Sequence, residues 1–283
     1  MFQQMTILAP GLLGGSVARA ARAQSAARRI VIWARRPETR RELVGQEWCD
    51  IAAGTPEAAV KAANLVVVAA PVDAIIPLVR QIASHLPAGA IVTDVGSVKR
   101  EIARQGHDAL GTSAHFVGSH PMAGSEKTGW ENGSATLFEH RTCFVTPLAV
   151  TDPKAAETVA NFWQRLGANV VSIDPEKHDE IVAHISHLPQ ILASSLCAFL
   201  AGKDPMWKNY AGGGLRDTTR IAASDPKLWR TILEQNRDEV LNTLRQFQDE
   251  LKSFELALEN KNWDEVTAKL ERGRAYRSGF PSA

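Results

Sequence analysis

The sequence predicts an α/β domain with a doubly wound parallel sheet over residues 1–173, followed by an all-α domain over residues 174–283. Three observations carry this. Short apolar runs alternate with Ala- and Leu-rich helical segments through the first half. A glycine-containing turn sits between the first apolar run and the first helical segment. After about Asp174 strand patterns stop, and helical periodicity fills the rest.

The strand candidates come in order. Met5–Leu8 ends at Ala9-Pro10-Gly11, and Arg29–Trp33, Leu65–Ala69, Ala90–Asp94, His115–Gly118, Cys143–Thr146 and Asn169–Ile173 follow. Helical segments such as Ser16–Gln24, Ala58–Ala63 and Val72–Ser84 lie between them. Continuous apolar strands separated by helices imply a parallel sheet covered on both faces. Glu176–Leu200 reads as helical, and Pro189 should kink it or start a second helix. Lys227 to about Glu259 reads as one long helix. Val240, Leu244, Phe247, Leu251, Phe254 and Leu258 alternate at spacings of four and three along it, a heptad seam. Such a seam serves the core of a helical domain or a dimer interface. Asn260-Lys261-Asn262 interrupts the pattern, and Trp263–Arg272 resumes it.

Composition narrows the function classes. The chain has 283 residues, 45% hydrophobic and 22% charged, enough apolar material for a core without disulfide or metal staples. Lys plus Arg number 32 against 31 Asp plus Glu, which leaves no broad basic surface for nucleic acid or anionic membrane. The longest nearly apolar stretches, Leu65–Val72 and Ile191–Ala201, fall short of the roughly 20 residues a spanning helix needs. The N-terminus lacks the charged and apolar regions of an export signal. Cys49, Cys143 and Cys197 are widely spaced, without metal-ligand spacing, and read as buried or free thiols. The expectation is a cytoplasmic protein with no metal, nucleic-acid or membrane partner.

The turn Ala9-Pro10-Gly11-Leu12-Leu13-Gly14-Gly15-Ser16 has the strand–turn–helix context of a Rossmann-type dinucleotide fingerprint. A tight turn lets the backbone approach a pyrophosphate, and free N–H groups at the helix start bind it. Gly11, Leu12, Leu13 and Gly14 are the expected contacts. Ala9 stands where the first glycine is usual. At the second strand's end, where an acid would accept from a ribose 2′-OH, stands Ala34, followed by Arg35 and Arg36. Guanidinium groups suit a 2′-phosphate, so the expected cofactor is NADP, with NAD as the alternative. The other reading of these arginines is a solvated surface pair.

Two further clusters follow strand ends. In Asp94-Val95-Gly96-Ser97-Val98-Lys99, Ser97 either caps the next helix or reaches substrate and nicotinamide. In Gly118-Ser119-His120-Pro121-Met122-Ala123-Gly124-Ser125-Glu126, His120 is placed for chemistry rather than packing.

Together GLLGGS, DVGSVK, SHPMAGSEKTGW, HISHLPQ (His184–Gln190) and GGGLRDTTRIAASDPKLW (Gly212–Trp229) resemble the prephenate/arogenate dehydrogenase family of tyrosine biosynthesis. The resemblance runs in order along nearly the whole chain. It implies oxidative decarboxylation of prephenate to 4-hydroxyphenylpyruvate, of arogenate to tyrosine, or both, with hydride transfer to NAD(P)+. It makes His120 the base that accepts the ring 4-hydroxyl proton, and Ser97 the group that holds that hydroxyl and orients the nicotinamide. His187 and Arg220 would bind substrate, Arg220 by gripping a carboxylate. Glu126 and Asp217 match acidic positions of a gate over the site, although Asp217 can also be read as a helix cap. His184 is expected to be structural. The helical domain would make the homodimer.

Other readings are an arogenate-specific enzyme, a 3-hydroxyacid dehydrogenase, and a non-catalytic NAD(P)-sensing dimeric regulator. The second usually relies on a lysine in the helical domain, and Ile181–Leu200 has none. With the chain ending at Ala283, tyrosine inhibition is expected at or near the active site. The near-zero net charge then implies positive charge concentrated locally, at Arg35, Arg36, Arg220 and the helix start after Gly11.

Overall fold

The computed structural model describes residues 1–124 and 128–280. Its strands are β1 (Phe2–Leu8), β2 (Ala27–Trp33), β3 (Ile51–Ala52), β4 (Leu65–Val68), β5 (Ile91–Asp94), β6 (His115–Pro121), β7 (Thr142–Thr146) and β8 (Asn169–Ser172). They form one sheet in the order β3-β2-β1-β4-β5-β6-β7-β8. All four residues of β4, Leu-Val-Val-Val, are buried, as a central parallel strand covered on both faces requires. Crossovers run through α1 (Leu12–Ala23), α2 (Pro37–Leu43), α3 (Pro56–Val60), α4 (Val72–Ile82), α5 (Arg100–Leu110) and α6 (Pro153–Arg165). The sheet order reverses direction between β1 and β4. Their carboxyl ends open there into the crevice where such folds bind ligands.

Two features of the sheet differ from the sequence expectation. β3 is a two-residue strand, too short to show alternation. β7 runs antiparallel to β6, with His120 opposite Phe144. Among the described residues between them there is a short 3-10 turn, Trp130–Asn132, and no crossover helix, so the chain folds straight back. With α6 as crossover, β8 is again parallel to β7.

The chain divides into two compact units, Met1–Asn236 and Arg237–Ala283. The first contains the sheet and also α7 (Pro175–Val182), α8 (Leu188–Ala201), α9 (Gly213–Thr219) and α10 (Pro226–Gln235). A π-helical turn, Ala183–His187, joins α7 to α8, and Pro189 lies in the first turn of α8, where its missing N–H costs nothing. The helical run Pro175–Ala201 is therefore continuous over 27 residues, and an 18-residue window within it reaches a mean hydropathy of 1.3, so by length and composition alone it is long and apolar enough to cross a membrane. This corrects the shorter apolar stretch read from sequence. The run buries His178, Asp179, His187 and Gln190 in its first part, while 28% of its apolar window is buried and Phe199 near its end is exposed.

The expected single helix from Lys227 to Glu259 is two. Asn236 leaves helical geometry (φ −109°, ψ 28°), and its buried side chain bonds elsewhere in the first unit. The second unit consists of α11 (Arg237–Glu259) and α12 (Trp263–Ser278), packed on each other. In it Lys269 reaches Glu250 at 3.1 Å. Of the heptad seam, Val240 is buried while Leu251 and Leu258 are exposed.

Candidate active site

The glycine turn has the geometry of an anion cradle. Gly11 precedes α1 without a side-chain cap, so the first-turn N–H groups of Leu12, Leu13 and Gly14 have no partner within the helix. A Cβ on Gly14 would meet Ala69 Cβ at 2.9 Å and Ala9 O at 3.2 Å, whereas one on Gly11 would meet nothing within 4 Å. Gly14 thus serves helix–sheet packing, and Gly11 leaves room for a ligand. Ala9 holds φ at +62°, the left-handed conformation a glycine would take there without strain. These features fit a dinucleotide pyrophosphate. At the end of β2, Ala34 is buried and Arg35 and Arg36 are exposed. Arg40 Nη1 donates to the Ala34 and Arg35 carbonyls at 2.7 and 3.1 Å, which fixes the turn that displays the two arginines.

The carboxyl ends of β5 and β6 are knitted together. Asp94 accepts from Gly96 N at 2.8 Å and Ser119 N at 3.2 Å, and pairs with Lys99 Nζ where both side chains are inaccessible to solvent. Ser119 Oγ donates to Asp94 O at 2.5 Å and accepts from Trp163 Nε1 at 2.9 Å. A Cβ on Gly118 would meet Thr146 Oγ1 at 2.5 Å and Lys99 Cδ at 3.3 Å, so the glycine makes room for the lysine. The backbone just before His120 is therefore held from several sides.

His120 emerges at this edge, 8% exposed. β5 and β6 run parallel in register, so the loop carrying half-buried Ser97 leaves the same edge of the sheet. Ser97 does not cap α5. That helix starts at Lys99 and Arg100, whose N–H groups donate to Asp179 Oδ1 and Oδ2 at 2.7 and 3.0 Å. His120 Nδ1 lies 2.9 Å from His178 Nε2, and His178 Nδ1 lies 2.8 Å from Asp179 Oδ1. Asn236 Nδ2 donates to Asp179 O at 2.8 Å and lies 3.2 Å from His187 Nδ1. The His187 ring also meets Trp229 edge-on, with centroids 5.9 Å apart.

Burial, reinforced by His178, Lys99 and His187, holds the His120 pKa well below the ordinary 6.5. His178 is also lowered by burial, against the pull of Asp179. Burial brings His187 down to about 4. All three rings are neutral at physiological pH.

The other expected residues are not gathered into this cluster by direct contact. Arg220 opens a 3-10 turn, Arg220–Ala223, and is exposed. Asp217 is exposed inside α9, not at its N-terminus, so it caps nothing. Glu126 lies outside the described residues. His184 Nδ1 is 2.8 Å from Glu180 O, one turn back along the helix, in an exposed setting. Sequence reading missed Asp94, Lys99, His178, Asp179 and Asn236. For Asp94 and Lys99 a signal was present, because both lie inside DVGSVK.

Comparison with known proteins points to one family. Residues 17–172 match the prephenate dehydrogenase nucleotide-binding domain, and residues 174–272 the prephenate dehydrogenase dimerization domain. The prephenate dehydrogenase of Bacillus subtilis is 32% identical over 275 residues, covering 96% of this chain and 74% of that protein. The cyclohexadienyl dehydrogenase of Zymomonas mobilis is 31% identical over 282 residues, covering 98% of this chain and 96% of that protein. The crystal structure of A. aeolicus prephenate dehydrogenase with hydroxyphenyl propionate and NAD+ superimposes with a TM-score of 0.92 at 30% identity, covering 98% of both chains.

Proposed function

The chain belongs to the prephenate dehydrogenase family, enzymes of oxidative decarboxylation in tyrosine biosynthesis that use NAD(P), and we propose that it acts on prephenate through His120 with NADP+ as the preferred acceptor. The observation that carries this reading is a buried, neutral histidine at the carboxyl edge of the sheet, on the strand next to the Ser97 loop.

The chemistry follows from the groups in place. Ser97 and His120 hold the ring 4-hydroxyl of the substrate. His120 takes its proton as the C4 hydride departs. The bound nicotinamide supplies the hydride acceptor. The ring carboxylate then leaves as CO2, its bonding electrons closing the aromatic ring, so no high-energy carbanion has to be held for long. The protein's tasks are positioning, proton acceptance and charge recognition. His187 contacts the substrate. Arg220 grips a carboxylate, for which a guanidinium fork is suited. Glu126 and Asp217 are assigned to the gate.

NADP preference is supported by Arg35 and Arg36 exposed beside Ala34, with no acid in that place to accept from a 2′-OH. Gly11, Leu12, Leu13 and Gly14 would hold the pyrophosphate. A homodimer is supported by the exposed Leu251 and Leu258 in a segment that matches a dimerization domain. The setting is cytoplasmic.

The test is the absorbance of reduced nicotinamide with prephenate and arogenate in parallel, each with NADP+ and NAD+. Turnover of prephenate with higher kcat/KM for NADP+ is expected. Better efficiency with NAD+ refutes the cofactor preference, and better efficiency with arogenate makes this an arogenate enzyme. No turnover of either substrate favours a cofactor-sensing regulator.

A further inference from the structure

Two histidines of this site are tied to one residue from two sides. The Asp179 carboxylate is surrounded by donors: Lys99 N at 2.7 Å, Arg100 N at 3.0 Å, and the His178 ring at 2.8 Å. A carboxylate in that setting only accepts, so His178 carries a proton on Nδ1. A neutral imidazole then presents a bare Nε2. His120 Nδ1, 2.9 Å away, must donate to it, which leaves the lone pair of His120 on Nε2.

The second connection starts at the Asp179 carbonyl. A carbonyl only accepts, so the side-chain nitrogen of Asn236 faces it, and the amide orientation is settled. The same nitrogen lies 3.2 Å from His187 Nδ1. An amide nitrogen does not accept hydrogen bonds, so His187 Nδ1 is bare and its proton sits on Nε2.

We infer that Asp179 sets opposite tautomers in the two histidines, an unprotonated Nε2 on His120 and a protonated Nε2 on His187, through the positioning residues His178 and Asn236. This rests on the proposed function, in which His120 is the base. The bare Nε2 accepts the ring hydroxyl proton, and the His187 N–H donates to a substrate oxygen. Once protonated, His120 already directs its Nδ1–H at His178, with the Asp179 carboxylate behind it. A carboxylate that orients a catalytic imidazole and stabilises its cation does the same work in hydrolase triads. The burial of all three rings keeps them neutral before the reaction.

The test is nitrogen-15 NMR of histidine-labelled full-length protein at neutral pH. The expected spectrum shows His120 protonated on Nδ1 and His187 on Nε2. The same tautomer on both, or the reverse pattern, overturns the inference. Kinetics give a second reading. In Asp179→Asn an amide can donate to His178 Nδ1, which pushes the His178 proton to Nε2 and turns the His120 base nitrogen away. A loss of at least about 100-fold in kcat is expected, with KM changed by less than about threefold. His178→Gln can still accept from His120 and donate to Asp179, and should retain far more kcat than His178→Leu. Equal loss in those two variants, or full kcat in folded Asp179→Asn, refutes the relay. If Asp179→Asn fails to fold, the wild-type spectrum decides. The spectrum needs no substrate, so a wild type with the expected tautomers and no turnover refutes the proposed activity and not the relay.

Discussion

The proton-handling cluster and the segment expected to grip the substrate carboxylate are built in opposite ways. His120, His178, Asp179, His187 and Asn236 are each at most 8% exposed and are joined by hydrogen bonds. Residues 212–223 contain no buried side chain, and Arg220 and Asp217 project into solvent. A general base must have its lone pair aimed and its charge state set before substrate arrives, which a dry, bonded environment achieves. A carboxylate clamp holds a permanent cation that stays hydrated until it meets its partner, so burial in advance carries only a desolvation cost. Loss of His120, His178 or Asp179 should therefore appear in kcat, and loss of the second region in KM.

The largest expected effect is at the base. His120→Ala should lower kcat by about 10²–10⁴-fold, with the dissociation constant of the dinucleotide unchanged by fluorescence titration. Near-normal turnover would remove His120 from the reaction. Next is the ion pair beneath the same strand ends. Lys99→Met leaves Asp94 charged and buried, and should destabilise the fold by about 3–5 kcal/mol in urea unfolding. A cost below about 1 kcal/mol would mean that water reaches Asp94 there. Arg220→Ala should raise substrate KM about 10- to 100-fold while kcat stays within a few-fold, because a charge-assisted bond of about 1.5–3 kcal/mol is lost equally in ground and transition states. A fall in kcat with unchanged KM would instead place Arg220 in the chemical step.

The same contrast explains what could be read from the sequence. Contiguous features were legible: the glycine turn after β1, the strand ends at Asp94 and His120, and the loss of strands after β8. A local run of residues encodes each of them. Resemblance added Arg220 and His187, which no periodicity marks. The positioning residues were hidden because their partners are distant in sequence. His178 lies 58 residues from His120, and Asn236 lies 57 from Asp179. Asn236 inside an apparently unbroken helical pattern gave no local sign of a break, since its reason is the Asp179 carbonyl. β7 reads as any other short apolar strand, and its direction goes with the lack, among the described residues, of a crossover helix before it.

The smallest expected effect concerns acid stability. His187 titrates near 4 in the fold and near 6.5 in the unfolded chain. Below pH 6.5 the unfolded state binds a proton that the native state refuses, so stability falls as pH falls, and levels off below about pH 4. Lowering the pH from 7.5 to 5.5 should cost about 1.3 kcal/mol through this ring alone, since each pH unit between the two pKa values is worth about 1.4 kcal/mol. His187→Gln, whose amide oxygen can still accept from Asn236, should lose that much less over the same interval. Equal losses in wild type and variant, measured by urea midpoints at both pH values, would mean that His187 is already hydrated in the native state. The buried cluster would then be wetter than the exposed clamp it is contrasted with requires.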